Sequence, residues 1–224
     1  MNQSYCFGGI ECAWIESEGP ELKNFREMAS NARLLVCDLE TTGLDPSAER
    51  VIEVAVVRIQ RDGTPAGEWT TLVDAGATDL GRTDIHGIRH HWLEGAPSFG
   101  SIAGDLAHQL SGCVPVAHNA GFDASFLRSE WGRAGLGSLD LEAVDTLPMA
   151  RQLGYPGRLG LLAEALGVPL HDAHRALDDT RALAAVLVAL LDRGAVVSSF
   201  PIFGPPLLTP APSGRVAHRP AQVA

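Results

Sequence analysis

The pattern of apolar and polar positions predicts a three-stranded start to the folded region. Residues 33–38 and 51–60 are almost continuously apolar, which is typical of strands buried on both faces. Residues 61–65 (Arg-Asp-Gly-Thr-Pro) have turn chemistry, and the stretch after them predicts a third strand at 68–73. We therefore expect three strands that follow one another closely along the chain.

Helical periodicity dominates the sequence after a loop at 74–97. Helices are predicted at 99–110, 122–133, 159–166 and 176–191, with one buried strand at 114–117. Strands that come first and are then followed by alternating helices and strands predict an α/β domain. The expected architecture is a single domain with a mixed sheet flanked by helices on its faces.

The two ends of the chain differ in character from this domain, which we place at residues 31–194. Residues 1–30 have no clear period, and their role stays open. Residues 195–224 hold six of the fourteen prolines, and their only charged side chains are Arg215 and Arg219. A flexible, proline-rich tail is the expectation for this last segment.

Composition narrows the class of protein. The longest uninterrupted apolar stretch, 182–191, is too short to cross a bilayer, so we expect no membrane partner and a cytoplasmic location. The four cysteines, at positions 6, 12, 37 and 113, lack metal-ligand spacing and are expected to be reduced. The net charge of −10 argues against a broad basic surface for nucleic acid. It does not exclude an enzyme that grips a few nucleotides at one strand end.

The end of the first strand carries the clearest chemical signal, Asp38 and Glu40. Residues two apart on an extended strand point to the same side, so both carboxylates face one spot. Two such close like charges would repel each other unless a cation lay between them. Hard oxygen ligands favour Mg²⁺ or Mn²⁺. The alternative is an acidic strand end that simply leads into a turn.

The last helix distinguishes two adjacent aspartates. At about 100° per residue, Asp179 lies at the edge of the apolar stripe, whereas Asp178 lies almost opposite it and faces water. His174 must sit in the preceding loop or first turn, and taken alone it is better explained as an ordinary surface histidine than as a catalytic residue. Asp123 has a structural alternative too, as an acid that stabilises the first turn of its helix.

Three segments in order resemble the DEDD-type exonucleases of the catalytic-histidine subclass, also called DnaQ-like. Asp38-Leu39-Glu40-Thr41-Thr42-Gly43-Leu44 is similar to the first motif of that family. His118-Asn119-Ala120-Gly121-Phe122-Asp123 is similar to the second, and His174 through Asp179 to the third. The family includes the proofreading epsilon subunit of bacterial DNA polymerase III, and the resemblance runs over residues 34–191.

The resemblance implies a ribonuclease H-like fold and a two-metal site. Two Mg²⁺ or Mn²⁺ ions would be bound by Asp38, Glu40, Asp123 and Asp179, with His174 as general base. One ion would orient and acidify the attacking water, and the other would stabilise the departing 3′ oxygen. The positions implied to contact the terminal sugar and base are Thr41, Thr42, Leu44, Ile85, His86 and Phe122.

The implied activity is 3′-to-5′ exonucleolytic hydrolysis of single-stranded or frayed ends, with DNA favoured and nucleoside 5′-monophosphates as products. An RNA-directed 3′ exonuclease and a non-catalytic adaptor that binds strand ends are the alternatives. A glycosidase would leave the extra aspartates and the histidine unexplained. A DNA polymerase is the implied partner class, although no segment indicates a polymerase-binding or clamp-binding motif.

Overall fold

The computed structural model describes residues 33–60, 63–170, 174–197 and 199–220. The N-terminal extension at 1–30 lies outside these residues. The strands are β1 Arg33–Thr41, β2 Val51–Ile59, β3 Pro65–Leu72, β4 Cys113–Ala117 and β5 Val144–Asp145. They form one sheet in the order β3-β2-β1-β4-β5. The first three pair antiparallel, whereas β4 runs parallel to β1 and β5 parallel to β4, so the sheet is mixed as predicted.

The helices lie mostly where the periodicity predicts them. They are α1 Thr83–His86, α2 His90–Leu93, α3 Phe99–Leu110, α4 Ala120–Arg133, α5 Thr146–Gln152, α6 Leu159–Leu166 and α7 Ala176–Asp192. Helices α1, α2 and α5 and strand β5 are absent from the sequence-based expectation. Each spans at most seven residues, which is too short to show a full apolar period. The segment 74–97 is therefore wrongly predicted as a loop without helix.

The alternation of side chains along β1 decides which face each residue occupies. Leu35, Cys37 and Leu39 belong to the core that packs under α3 and α4. The intervening residues, including Asp38 and Glu40, must point to the opposite face. Helix α7 packs against β1 and β2. The acidic pair thus faces the helix that carries Asp179.

The proline-rich segment is not the flexible tail that its composition indicates. Residues 199–220, which we call the C-terminal strap, follow the surface of the domain and bond to it. Phe203 is 5% exposed in the core, and its N–H donates to the carbonyl of Cys113 at 2.9 Å. The N–H of Leu72 donates to the carbonyl of Ala217 at 2.7 Å. A segment with few charges and many prolines is here an extended chain that packs on the domain. The strap is therefore part of the domain.

Two further expectations concern the state of the cysteines and the presence of a membrane-spanning helix. Cys37 and Cys113 are buried free thiols, while the other two cysteines lie outside the described residues. Within the part of the chain that the structure describes, no helix has the length and apolar character needed to cross a membrane.

Candidate metal centre

Asp38, Glu40 and Asp179 converge on one point between β1 and the first turn of α7. Each offers a carboxylate oxygen, and these oxygens all lie within 4.8 Å of one another. The strand brings the first two together because they are two residues apart, and the packing of α7 on the same face brings the third. The geometry is that of a group of oxygen ligands for a divalent cation.

The neighbouring Asp178 lies outside this group. Its carboxylate accepts a hydrogen bond from Arg181 Nη1 at 3.1 Å and lies 3.9 Å from Arg175 Nε. The helix therefore presents its two adjacent aspartates differently, with Asp179 toward the strands and Asp178 toward arginines of its own helix end. The phase deduced from the apolar stripe agrees with this placement, although Asp178 is half-buried rather than fully solvated.

Asp123 lies in the first turn of α4 and is buried, with 6% of its surface exposed. Among the described residues it is not part of the group of three carboxylates within 4.8 Å. Its charge nevertheless acts on that group, because repulsion from Asp123 is, after burial, the largest cause of the raised pKa of Asp38. Asp123 thus borders the centre, and its role as a metal ligand stays a prediction.

The electrostatics of the centre are those of crowded, desolvated acids. Burial first, then repulsion from neighbouring carboxylates, holds the pKa of Asp38 well above its usual range. Burial and the charge of Glu53 raise the pKa of Glu40 to about 8. Burial and Asp145 raise the pKa of Asp123 to about 8. Without a cation the carboxylates can hold protons at neutral pH, and a hard divalent cation fits this set of oxygen donors.

His174 is exposed and lies outside the carboxylate group. Its backbone has φ 71°, a left-handed conformation that is uncommon for residues other than glycine. Its N–H donates to Oδ2 of Asp179 at 2.9 Å. This backbone bond attaches the loop that carries His174 to a carboxylate of the centre.

Two residues that were not predicted as site residues, Glu53 and Arg219, form an ion pair beside the carboxylates. Glu53 of β2 lies opposite Glu40 of β1 in the antiparallel register. Arg219 of the strap donates to both its oxygens, from Nε to Oε1 at 2.9 Å and from Nη2 to Oε2 at 2.6 Å. A charged residue inside the apolar run 51–57 was a usable signal for Glu53. Nothing local to Arg219 indicated its partner, which lies 166 residues away.

Two residues expected to contact a terminal nucleotide form hydrogen bonds within the protein. Thr42 is buried, and its hydroxyl donates to Glu49 and accepts from the N–H of Arg50 at 3.0 Å. His86 is 2% exposed, its Nε2–H donates to the carbonyl of Leu80 at 2.9 Å, and its Nδ1 accepts from the N–H of Ile88 at 3.0 Å. Both side chains are thus held in place by bonds within the protein, and their contact with a nucleotide stays a prediction.

The other expected contact residues remain accessible. Leu44 is 85% exposed and Ile85 41% exposed, which is unusual for large apolar side chains. Phe122 is half-buried and packs against Phe126 with ring centroids 4.7 Å apart. The Thr41 hydroxyl donates to the carbonyl of Gly43 at 2.7 Å. Exposed apolar surface is therefore present at two of the positions expected to contact a nucleotide.

The segment that carries Ile85 is held tightly against the loop after β1. Gly81 has φ 68°, and a Cβ built there would lie 1.8 Å from the carbonyl oxygen of Thr42. Only glycine permits this close backbone approach. Arg82, next along the chain, pairs with Asp84 at 2.7 Å on the surface.

Comparison with known proteins gives consistent matches. A family model described as exonuclease, RNase_T, matches residues 35–187. DNA polymerase III PolC-type from Thermotoga petrophila is 36% identical over 191 residues, covering 82% of this chain but 14% of that protein. DNA polymerase III subunit epsilon from Treponema pallidum is 37% identical over 150 residues, covering 64% of this chain and 69% of that protein. This chain thus spans only a small part of the PolC-type relative.

A solved structure confirms the fold class. The 3′-exonuclease whose structure describes 3′-end specific recognition of a histone mRNA stem-loop superposes with a TM-score of 0.64. The match covers 88% of this chain and 84% of that chain at 19% identity. At this identity the likeness establishes the architecture, a mixed sheet flanked by helices, and nothing about substrate.

Proposed function

The chain belongs to the RNase_T exonuclease family, and from this premise we propose that it is a metal-dependent 3′-to-5′ exonuclease of the catalytic-histidine subclass. It hydrolyses the terminal phosphodiester bond of single-stranded or frayed ends and releases nucleoside 5′-monophosphates. The observation that carries the proposal is the convergence of Asp38, Glu40 and Asp179 within 4.8 Å. The raised pKa values of Asp38 and Glu40 support a bound cation, because these acids can be ionised together only when a positive charge lies between them.

The site residues divide the work by position. Asp38, Glu40 and Asp179 would hold divalent metal, with Asp123 at the border of the set. Bound Mg²⁺ or Mn²⁺, two ions by family resemblance, would supply Lewis acidity for the water and for the departing oxygen. Cys37 belongs to the core on the opposite face of β1, so its buried thiol does not face the carboxylates.

The position of His174 beside Asp179 supports a role as general base. The residue is exposed, and its backbone N–H bonds to Asp179, which supports a position of the ring close to the carboxylates. It accepts the proton of the attacking water and returns it to solvent. A positioned base of this kind typically contributes about 10²–10⁴-fold to the rate.

The surface around the centre supports a substrate gripped at one end. Leu44 and Ile85 are exposed and apolar, and such contacts do not read base identity, so cleavage should tolerate any sequence. The net charge of −10 also favours local contacts over a long basic track. The names of the two relatives, both belonging to DNA polymerase III, support DNA as the substrate and a DNA polymerase as the partner class.

The test is digestion of matched DNA and RNA oligonucleotides labelled at the 3′ or the 5′ end, with Mg²⁺, with Mn²⁺ and with excess chelator. The proposal expects mononucleotides released stepwise from the 3′ end, faster for DNA, and no turnover in chelator. Circular single-stranded DNA should resist, since it offers no end. Preferential turnover of the RNA would establish an RNA-directed exonuclease, and binding without turnover would establish an adaptor.

A further inference from the structure

Arg219 is buried at the edge of the metal centre, with 7% of its side chain exposed. Besides its two bonds to Glu53, it donates from Nη1 to the carbonyl of His86 at 2.6 Å. A planar guanidinium with three directed bonds is fixed in place. It therefore joins β2 to the segment that carries Ile85 and brings a permanent positive charge to an acidic region.

Glu53 is placed so that it would otherwise belong to the carboxylate set. It lies directly across from Glu40, and opposite residues of an antiparallel pair have side chains on the same face. It is 5% exposed. Its Oε2 also accepts the N–H of Ala176, at the start of α7, at 3.2 Å. Both oxygens are occupied, and Glu53 is not among the three carboxylates that converge within 4.8 Å among the described residues.

Other hydrogen bonds attach the strap to the domain ahead of Arg219 in the chain. Asp105 of α3 accepts from the N–H of Ser213 and from the N–H of Gly214, each at 2.8 Å. The N–H of Ala217 donates to Oγ1 of Thr71 at 2.9 Å. These bonds to α3 and β3 attach the strap to the domain along the chain before Arg219.

We propose that Arg219 is a positioning residue that holds Glu53 out of the metal-binding set. The inference rests on the proposed function for the nature of the bound ion. Glu53 neutralised and clamped by Arg219 leaves open the coordination positions that water and a phosphate oxygen need. A freed Glu53 would bind the cation as an additional carboxylate and fill such a position.

The test is direct titration of the metal-free protein with Mn²⁺, followed by the loss of the free-ion paramagnetic resonance signal, so that it does not depend on turnover. The variants are Arg219→Gln, Glu53→Gln and the double variant. Arg215→Gln is the matched control, because Arg215 is exposed on the same strap and its removal changes the net charge equally. Circular dichroism establishes that each variant is folded.

The expected changes in Mn²⁺ affinity are opposite for Arg219→Gln and Glu53→Gln. Arg219→Gln removes a positive charge and frees Glu53, so Mn²⁺ should bind at least about threefold tighter, while kcat on an oligonucleotide falls about tenfold or more. Glu53→Gln leaves Arg219 unneutralised, so Mn²⁺ should bind more weakly. The double variant and the Arg215→Gln control should match the parent protein.

Weaker or unchanged Mn²⁺ binding in Arg219→Gln overturns the inference, and so does weak binding in the double variant, which would make Glu53 an ordinary ligand. If Arg219→Gln does not fold, the Mn²⁺ titrations of Glu53→Gln and of the double variant decide. Unchanged Mn²⁺ binding in Glu53→Gln would also contradict the inference. A parent protein that degrades no nucleic acid defeats the proposed function alone. The Mn²⁺ titrations would still decide the role of Arg219.

Discussion

The backbone N–H of His174 lies 2.9 Å from Oδ2 of Asp179 and donates a hydrogen bond to it. The bond joins an exposed loop residue in a left-handed conformation to a carboxylate of the metal centre. It depends on the backbone and not on the imidazole. Replacing the histidine side chain can therefore remove the proposed base and leave the support of Asp179 in place.

His174→Ala should lower kcat by about 10²–10⁴-fold with little change in Mn²⁺ affinity, because only the proton acceptor is lost. Single-turnover rates on a labelled oligonucleotide, combined with a Mn²⁺ titration, measure both quantities. His108→Ala, at an exposed position of α3, is the matched control and should behave as the parent protein. Near-normal turnover of His174→Ala would mean that the histidine has only a structural role.

Asp179→Asn and Asp178→Asn form the most stringent pair. Loss of a metal ligand at Asp179 should lower the rate by on the order of 10²-fold or more. Asp178 pairs with Arg181, which is 49% exposed, and such a pair contributes at most about 1 kcal/mol to stability. Its replacement should leave turnover within a few fold of the parent. Equal losses in the two variants would contradict the arrangement described for the start of α7.

Asp38→Asn should abolish most turnover and yet stabilise the metal-free protein. The group has a raised pKa in the folded state, so its ionisation opposes folding, and removing the charge relieves that cost. A gain of about 1 kcal/mol would raise the melting temperature by about 2–4 °C for a chain of this size. Thermal melting in chelator at neutral pH measures the effect, and a lower melting temperature would contradict it.

The stability of the metal-free protein should depend on pH through Glu40 and Asp123. Both have pKa values raised to about 8 in the folded state, against about 4 when unfolded. Their favourable effect is complete below about pH 4 and is lost as the pH rises through about 8. The melting temperature should thus fall over this window, and Mg²⁺ should raise it more at pH 8 than at pH 5. Glu40→Gln should show a shallower fall.

Gly81→Ala tests the close backbone approach to Thr42. A side chain there meets a carbonyl oxygen at 1.8 Å and requires a left-handed backbone, so unfolding free energy should fall by about 2–5 kcal/mol. Gly87 has φ 67° and nothing within 4 Å of its built Cβ, so Gly87→Ala should cost only about 1–2 kcal/mol. Urea denaturation of the two variants measures the difference, and equal costs would show that the contact relaxes freely.

Local periodicity was sufficient for the main elements of the fold. The apolar stripe of α7 placed Asp179 and Asp178 on different sides, and helix α3 has the predicted bounds. These features depend on residues close in sequence, where the helical repeat fixes direction. The short helices α1 and α2 depend instead on tertiary packing, for example of Ile88 and Leu93 in a common cluster with Leu72. With four residues each, these two helices are too short to show an apolar periodicity in the sequence.

The site was predictable where its members share a strand or a helix, and not where they meet across the chain. Asp38 and Glu40 could be paired by alternation alone. Thr42 and His86 are expected to contact a nucleotide, and their hydrogen bonds to partners such as Glu49 and Leu80 could not be predicted, because only folding brings these residues together. The bond between Glu53 and Arg219 has the same origin, since composition alone indicated a mobile strap.

The separation of 166 residues between Glu53 and Arg219 has a consequence for biosynthesis. At a translation rate of about 5–20 residues per second, the ribosome makes Glu53 roughly 8–33 s before Arg219. During that interval β2 carries an acidic side chain that has no cationic partner from the strap. The nascent domain can collapse around its sheet, but it acquires the arrangement described here only when residue 219 leaves the exit tunnel.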